Sequence, residues 1–474
     1  MIKPALQPPQ VMPSVYGPPP RKVRAADLPG MVSLGVRELF PGLAPGLLQG
    51  QGVEDVALAA KQALDGVDLS MIRPEDTVNI LSSEHGFYIL EGLHYREMLK
   101  VLGNEVRRRT GCRNLRHRVA SGVTLKESEE IKTWFDLERY FDAPVASMTP
   151  WDRGLPIETE IGTLYGLAKA YDADWIIHAS HDEPRDLYFY RMMDRHIKAF
   201  AMSYARYETR AVYHGNFFSR SANILQRAMF DAPLVQDRFA LACIMRSTPA
   251  GITGVDADND LYRLDRSIVT DLLRDYGKML RLFGEMDECI AVLDAGRLMY
   301  YLHAGGICFG SVENAEYDPF DLSSPAAVWY QDVMARLSRG EVNGLGRIMM
   351  VHPAIKAVVV NQAWPGLPIS DLPLSVPTIV VGRDMADLLR NDPTNPSFMD
   401  MAVTADSLEA AMGFAYRVAG TDKVLAFDGS FGHVTASESL ARFLLDKAQE
   451  VDRRVATELL PLWLKQRGIQ PPAA

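Results

Sequence analysis

Asp76-Thr77-Val78-Asn79-Ile80-Leu81-Ser82-Ser83-Glu84-His85-Gly86 is the stretch that decides the fold. Val78 to Leu81 is short and β-rich, and it stops at a polar turn running from Ser82 to Gly86. Apolar residues then recur at Tyr95, Met98, Leu99, Leu102 and Val106, the three- and four-residue spacing of an amphipathic helix that Gly111 closes. A second strand follows at His117-Arg118-Val119-Ala120, with a turn at Ser121-Gly122. Ser128-Glu129-Glu130-Ile131 opens the next helix. This alternation predicts a largely parallel sheet covered by helices. Ligands bind beyond the carboxyl ends of such strands. The places to look are therefore Ser82 to Gly86, Ser121 to Thr124, and the segment after Trp175-Ile176-Ile177.

Working outward, Phe239 to Met245 reads as a further strand with Gly251 to Val255 as its hairpin return. Ile268, Leu272, Leu273, Tyr276, Leu280 and Phe283 mark a long helix. Beyond it, Cys289 to Leu293, Ile348 to Val351, Val358 to Val360 and Ile379 to Val381 read as buried strands of a second α/β unit. Leu408 to Ala419 is an amphipathic helix and Lys423 to Phe427 a strand. Prolines at 18, 19 and 20 keep the N-terminus out of helix and central strand. The expectation is a two-domain α/β protein with parallel or mixed sheets covered by helices. Its parts are a Pro-rich arm over 1–30, an N-terminal domain over 31–270, a C-terminal domain over 271–435 and a helical tail over 436–474.

The chain has 474 residues, 47% of them apolar and 23% charged, with a net charge of −10. That composition excludes wholesale disorder, and the acidic balance argues against a nucleic-acid partner. The apolar runs are too short to span a bilayer, and the N-terminus has no apolar secretory core. Cys112, Cys243, Cys289 and Cys308 are widely spaced, as in a reducing cytoplasm, which is the expected location. The partner expected is a small-molecule carboxylate, with no membrane and with homo-oligomerisation open.

The densest titratable cluster is His178-Ala179-Ser180-His181-Asp182-Glu183, read as the loop after a strand. Histidine with carboxylates binds a metal or moves protons. The alternative is a solvated loop that caps the next helix. Glu84 and His85 sit at an earlier strand end, and His94 and Arg96 near the start of the helix that follows, where an anion could bind. Gly305-Gly306 and Gly429 to Gly432 match no phosphate loop and read as tight turns. No GxSxG elbow is present.

In this order the pieces resemble the nickel-pincer lactate racemase family. Val78 to His85 resembles its SSDHTR turn, and Val119-Ala120-Ser121-Gly122 with Glu129-Glu130 its VATGxHRPxTxEE segment. Ala173 to Ile177 resembles its EADLLI strand, and Gly251 to Val255 stands at its short hairpin. Tyr330-Gln331 resembles its YQxxK element, and Leu408 to Gly429 its closing stretch. The resemblance implies an active site in the interdomain cleft. It also implies a nickel-pincer nucleotide on a lysine, a histidine on the nickel, and two histidines exchanging the hydroxyl proton of a 2-hydroxy acid. Lys198 and His214 keep the family's sixteen-residue separation, which makes Lys198 the cofactor anchor and His214 the metal ligand.

Departures from the family pattern are chemical. Its glycines before the lysine are absent, and an ungapped count places Arg195 at the anchor. Thr124 stands for the first proton-exchanging histidine, and the second falls near Pro184-Arg185. Phe87 replaces an arginine and Met334 a lysine. The implied activity is a racemase or epimerase of a 2-hydroxy acid or sugar acid other than lactate. His181, His85, His178 and Glu84 are its catalytic candidates, with Lys198, Thr124 and Arg185 binding cofactor. Arg185 or Arg96 would take the substrate carboxylate. Two alternatives stand beside it. One is lyase or hydrolase chemistry on a simple divalent metal at His178, His181, Asp182 and Glu183. The other is a catalytically silent ligand-binding protein.

Overall fold

The computed structural model describes residues 2–6, 17–47, 52–88, 92–122, 125–182, 193–216, 221–296, 318, 320–323, 353–363, 372–392, 397–430 and 432–470. The chain divides into two compact units. One comprises residues 1–45, 249–251 and 273–474, and the other residues 46–248 and 252–272. Among the described residues no helix is long and apolar enough to cross a membrane.

The 46–272 unit is built on a six-stranded sheet. Its order is Gly251–Asp258, Phe239–Thr248, Trp175–His181, Thr77–Ser83, Asn114–Ala120 and Val145–Met148. The last five run parallel to their neighbours. The periodic apolar residues of helix Gly92–Thr110 all face the core: Tyr95, Met98, Leu99, Leu102 and Val106 are fully buried. Gly111 takes φ +75° directly after it, the left-handed turn that a residue without Cβ makes cheaply.

The other unit carries an eight-stranded mixed sheet. Its order is Lys3–Pro4, Met31–Gly35, His433–Ser437, Val424–Phe427, Cys289–Asp294, Ile355–Gln362, Thr378–Val381 and Val403–Ala405. The last five are parallel and the first three antiparallel. The expected strands at Cys289 to Leu293, Val358 to Val360 and Ile379 to Val381 are all present, as is the helix Leu408–Ala419. Ile348 to Val351, Gly305-Gly306, Tyr330-Gln331 and Met334 lie outside the described residues.

Two boundaries differ from those read in the sequence. Residues 1–45 belong to the unit that holds the C-terminus, because Met31–Gly35 pairs antiparallel with His433–Ser437. The residues after 435 are no separate tail. Ser437 caps helix Glu438–Arg454, and Trp463 is fully buried with its indole N–H donating to Asp318 at 2.7 Å. The strand pairing and the Trp463–Asp318 bond, whose partners lie 145 positions apart in the second case, are beyond the reach of a local pattern.

Gly277, in helix Leu261–Gly284, lies against that indole: a Cβ there would come within 2.6 Å of the Trp463 ring. Gly277→Ala is expected to cost about 1–3 kcal/mol by overpacking. Urea unfolding checks this; an unchanged midpoint would show that the ring has room to move.

Candidate functional site

The strand ends of the 46–272 unit position the first group. Glu84 leaves Thr77–Ser83 with its N–H bonded to the Ala120 carbonyl at 2.9 Å, which pins it beside the neighbouring strand end. Its side chain is buried, and Oε1 accepts the Gly122 N–H. A Cβ at Gly122 would sit 2.6 Å from that oxygen, so only glycine admits the carboxyl here. Burial, then the neighbouring Glu127 carboxyl, pushes Glu84 well above the usual carboxylate range. The Gly122 N–H and the Arg210 guanidinium oppose that rise without cancelling it. His85 Nε2 lies 3.9 Å from Glu84 Oε1.

Helix Tyr207–Gly215 supplies the second group. The Arg210 guanidinium is spent on carbonyls: Nε to Ala205 at 2.9 Å, and its terminal nitrogens to Gly122 at 2.9 Å, Ser121 at 3.3 Å and Ser203 at 3.2 Å. It therefore ties the helix to the turn after Asn114–Ala120. Burial brings its pKa down to about 10, with Glu84 pulling the other way. His214 lies one turn on, its Nδ1 2.7 Å from the Arg210 carbonyl oxygen. A carbonyl only accepts, so Nδ1 carries the proton and Nε2 is the basic nitrogen. Burial holds the His214 pKa below its ordinary value, and the Lys198 ammonium and Arg210 add to this. Lys198 begins helix Lys198–Ala201. The fold thus brings the two residues, sixteen positions apart, within electrostatic reach.

The expected loop from His178 to Glu183 is different in the structure. Strand Trp175–His181 runs through it, and three-residue spacing puts His178 and His181 on opposite faces of the sheet. The Tyr204 hydroxyl donates to the Leu81 carbonyl at 3.1 Å and accepts from His178 Nδ1 at 2.7 Å. Burial, reinforced by Arg195, pushes the His178 pKa down to about 3. An imidazole that stays neutral so far below pH 7 is a weak base there. His181 is buried, 6.2 Å from the Tyr95 ring between centroids and edge-on to it.

Asp182 is engaged by protein groups. Its Oδ1 accepts the Ser247 N–H at 2.6 Å and hydroxyl at 2.7 Å, and its Oδ2 the Arg246 Nε at 3.2 Å. With the histidines on opposite faces and Asp182 so held, His178, His181 and Asp182 do not converge on one metal ion. Among the described residues no group of three or more His, Cys, Asp or Glu side chains is arranged to hold a metal. Thr124, Glu183 and Arg185 lie outside the described residues. The Arg96 guanidinium donates to the Phe135 carbonyl at 2.8 Å and stacks over Tyr140. His94 bonds the Gly52 carbonyl at 3.0 Å. Phe87 is buried among Tyr95 and Phe135.

Sequence reasoning passed over His196 and Asp265. His196 is fully buried, and neither ring nitrogen makes a hydrogen bond among the described residues. Burial, then Arg195 and His178, holds its pKa well below the ordinary value. Its backbone N–H donates to Asp265 Oδ1 at 2.6 Å. Burial, reinforced by Asp194, raises the Asp265 carboxyl to about 8. The only signal in the sequence was the position of His196 two residues before Lys198.

Asp265 sets a pH prediction. Between its ordinary value of 3.8 and about 8, the folded state holds a proton that the unfolded chain has released. Its stabilising contribution is full below that window and is lost as pH rises through it. Urea midpoints at pH 5 and pH 8.5 should fall less in Asp265→Asn than in the parent chain. Equal slopes would place the titration elsewhere.

No family model matches the chain, and a search of curated proteins finds no match. Its structure is similar to that of a lactate racemase apoprotein. That protein, from Thermoanaerobacterium thermosaccharolyticum, shares 15% identity over 83% of this chain and 95% of its own, with a TM-score of 0.45.

Proposed function

We propose that this chain is a racemase- or epimerase-type isomerase of a 2-hydroxy acid or sugar acid other than lactate. The observation that carries the reading is the Lys198–His214 pair, drawn into electrostatic reach with the His214 tautomer set by the Arg210 carbonyl. A primary amine and a neutral imidazole with a basic Nε2 are the donor set that a lysine-linked nickel-pincer nucleotide requires. Lys198 would hold that group and His214 would ligate its nickel. When bound, it supplies a hydride acceptor for the carbon bearing the hydroxyl.

The chain's own residues manage protons and position. Burial and Glu127 disfavour charge on the Glu84 carboxyl and so favour its protonated form. His85, beside it, is the imidazole that exchanges the substrate's hydroxyl proton, with His181 at the end of the adjacent strand. Arg210 positions the Ser121-Gly122 turn against Glu84 and sets the His214 ring through its carbonyl. Thr124 completes the cofactor contacts and Arg185 takes the substrate carboxylate. We place the protein in the cytoplasm, acting on a small carboxylate.

Mass spectrometry of chain co-expressed with cofactor-making proteins tests the reading. An adduct on Lys198 with nickel near one per chain is expected. An unmodified Lys198 in nickel-free protein would falsify the assignment.

A further inference from the structure

We propose that Pro18–Ala25 is a detachable strap, and that the carboxyl ends of three strands in the unit holding the C-terminus form its seat. The strands are Cys289–Asp294, Ile355–Gln362 and Thr378–Val381, and the seat takes an extended, guanidinium-bearing peptide. The carboxyl edge of a parallel sheet is where such folds bind ligands. Here the chain's own residues lie across it.

The grip is specific. Arg21 donates through Nε to the Asn361 carbonyl at 2.5 Å, and through its terminal nitrogens to the Val381 carbonyl at 2.8 Å and Asp384 at 2.9 Å. Arg24 Nε lies 3.1 Å from both oxygens of Asp294, which also accept the Ala25 N–H at 2.7 Å and the Asn361 amide at 2.8 Å. Asp294 is fully buried, so its carboxylate calls for a cation, from the strap or from a second guanidinium-bearing peptide that replaces it. The strap's backbone is read as well. Asn361 donates to the Val23 carbonyl at 2.9 Å and Gln362 to the Pro19 carbonyl at 3.1 Å. A proline-rich stretch makes no internal hydrogen bonds, so its carbonyls are available for such side-chain amides.

Detachment follows from what is absent in the grip. Pro18 and Ala25 are buried at the two ends, while Pro20, Lys22 and Val23 between them are exposed. Between those two buried ends the segment is held by polar contacts, and a stretch with so little buried apolar surface opens locally before the unit unfolds. This inference does not depend on the isomerase reading.

The strap carries trypsin sites at Arg21, Lys22 and Arg24. In the full chain, cleavage after these residues should be slow. Asn361→Ala and Asp384→Asn should each speed it by about tenfold or more, with cleavage elsewhere unchanged. Asp384 is half exposed, so its substitution spares the core if Asn361→Ala fails to fold. In a second arm, a labelled peptide of sequence 17–27 is titrated into full chain carrying Arg21→Ala and Arg24→Ala. It should bind that vacated seat at least about tenfold more tightly than the parent, where the tethered strap competes. Equal cleavage rates in the parent and in Asp384→Asn, or a peptide that ignores the folded vacated chain, would overturn the proposal.

Discussion

Arg246→Ala is expected to destabilise the 46–272 unit by about 3–5 kcal/mol, the usual consequence of stranding a buried charge. One guanidinium serves three carboxylates: Nε meets Asp182 at 3.2 Å, one terminal nitrogen meets Asp271 at 2.8 Å, and the other meets Asp256. Asp182 is fully buried, and burial outweighs Arg246 to push its pKa up to about 6. The three carboxylates in turn hold Arg246 firmly charged. Without the guanidinium, Asp182 would rise further and take up a proton near neutrality. The deficit should therefore be largest above pH 7 and shrink toward pH 5, where protonation relieves it. Urea unfolding of parent and variant at pH 5 and pH 8 measures both effects. Arg246→Lys should recover little, since a single ammonium cannot reach three acceptors set by a planar fork. A deficit independent of pH would mean that Asp182 is not the stranded charge.

Lys198→Arg is expected to abolish the cofactor adduct completely while leaving the fold intact. Arginine keeps the positive charge that acts on His214 but has no amine that can form the covalent link. The loss should be total rather than graded. His214→Ala separates the two roles: the adduct on Lys198 should persist while nickel per chain falls by at least about tenfold. Intact-mass measurement and elemental analysis of the same preparations decide this. An adduct surviving in Lys198→Arg would move the anchor elsewhere, with Arg195 excluded by its own chemistry.

The candidate site was legible in part. Glu84, His85, Lys198 and His214 are visible in the sequence as strand-end and spacing signals. The structure sets His85 3.9 Å from Glu84, and the Lys198 charge acts on His214. The histidine pair at 178 and 181 was misread because the strand runs on through both, and a three-residue step in a strand changes face. The β-rich run Trp175-Ile176-Ile177 ends at His178 only if histidine is taken as polar. Tyr204, from a helix-flanking turn, lets the strand bury it.

By itself the sequence determined the α/β alternation, the buried strands and the helix faces, because hydrophobic period is a local property carried by neighbouring residues. Tertiary structure alone decided that Met31–Gly35 joins the sheet containing His433–Ser437, that Asp182 answers to Arg246, and that His196 is sealed beside Asp265. Those outcomes turn on burial and charge contributed from distant parts of the chain, and a titrating group's behaviour is set by that surrounding field rather than by its own neighbours.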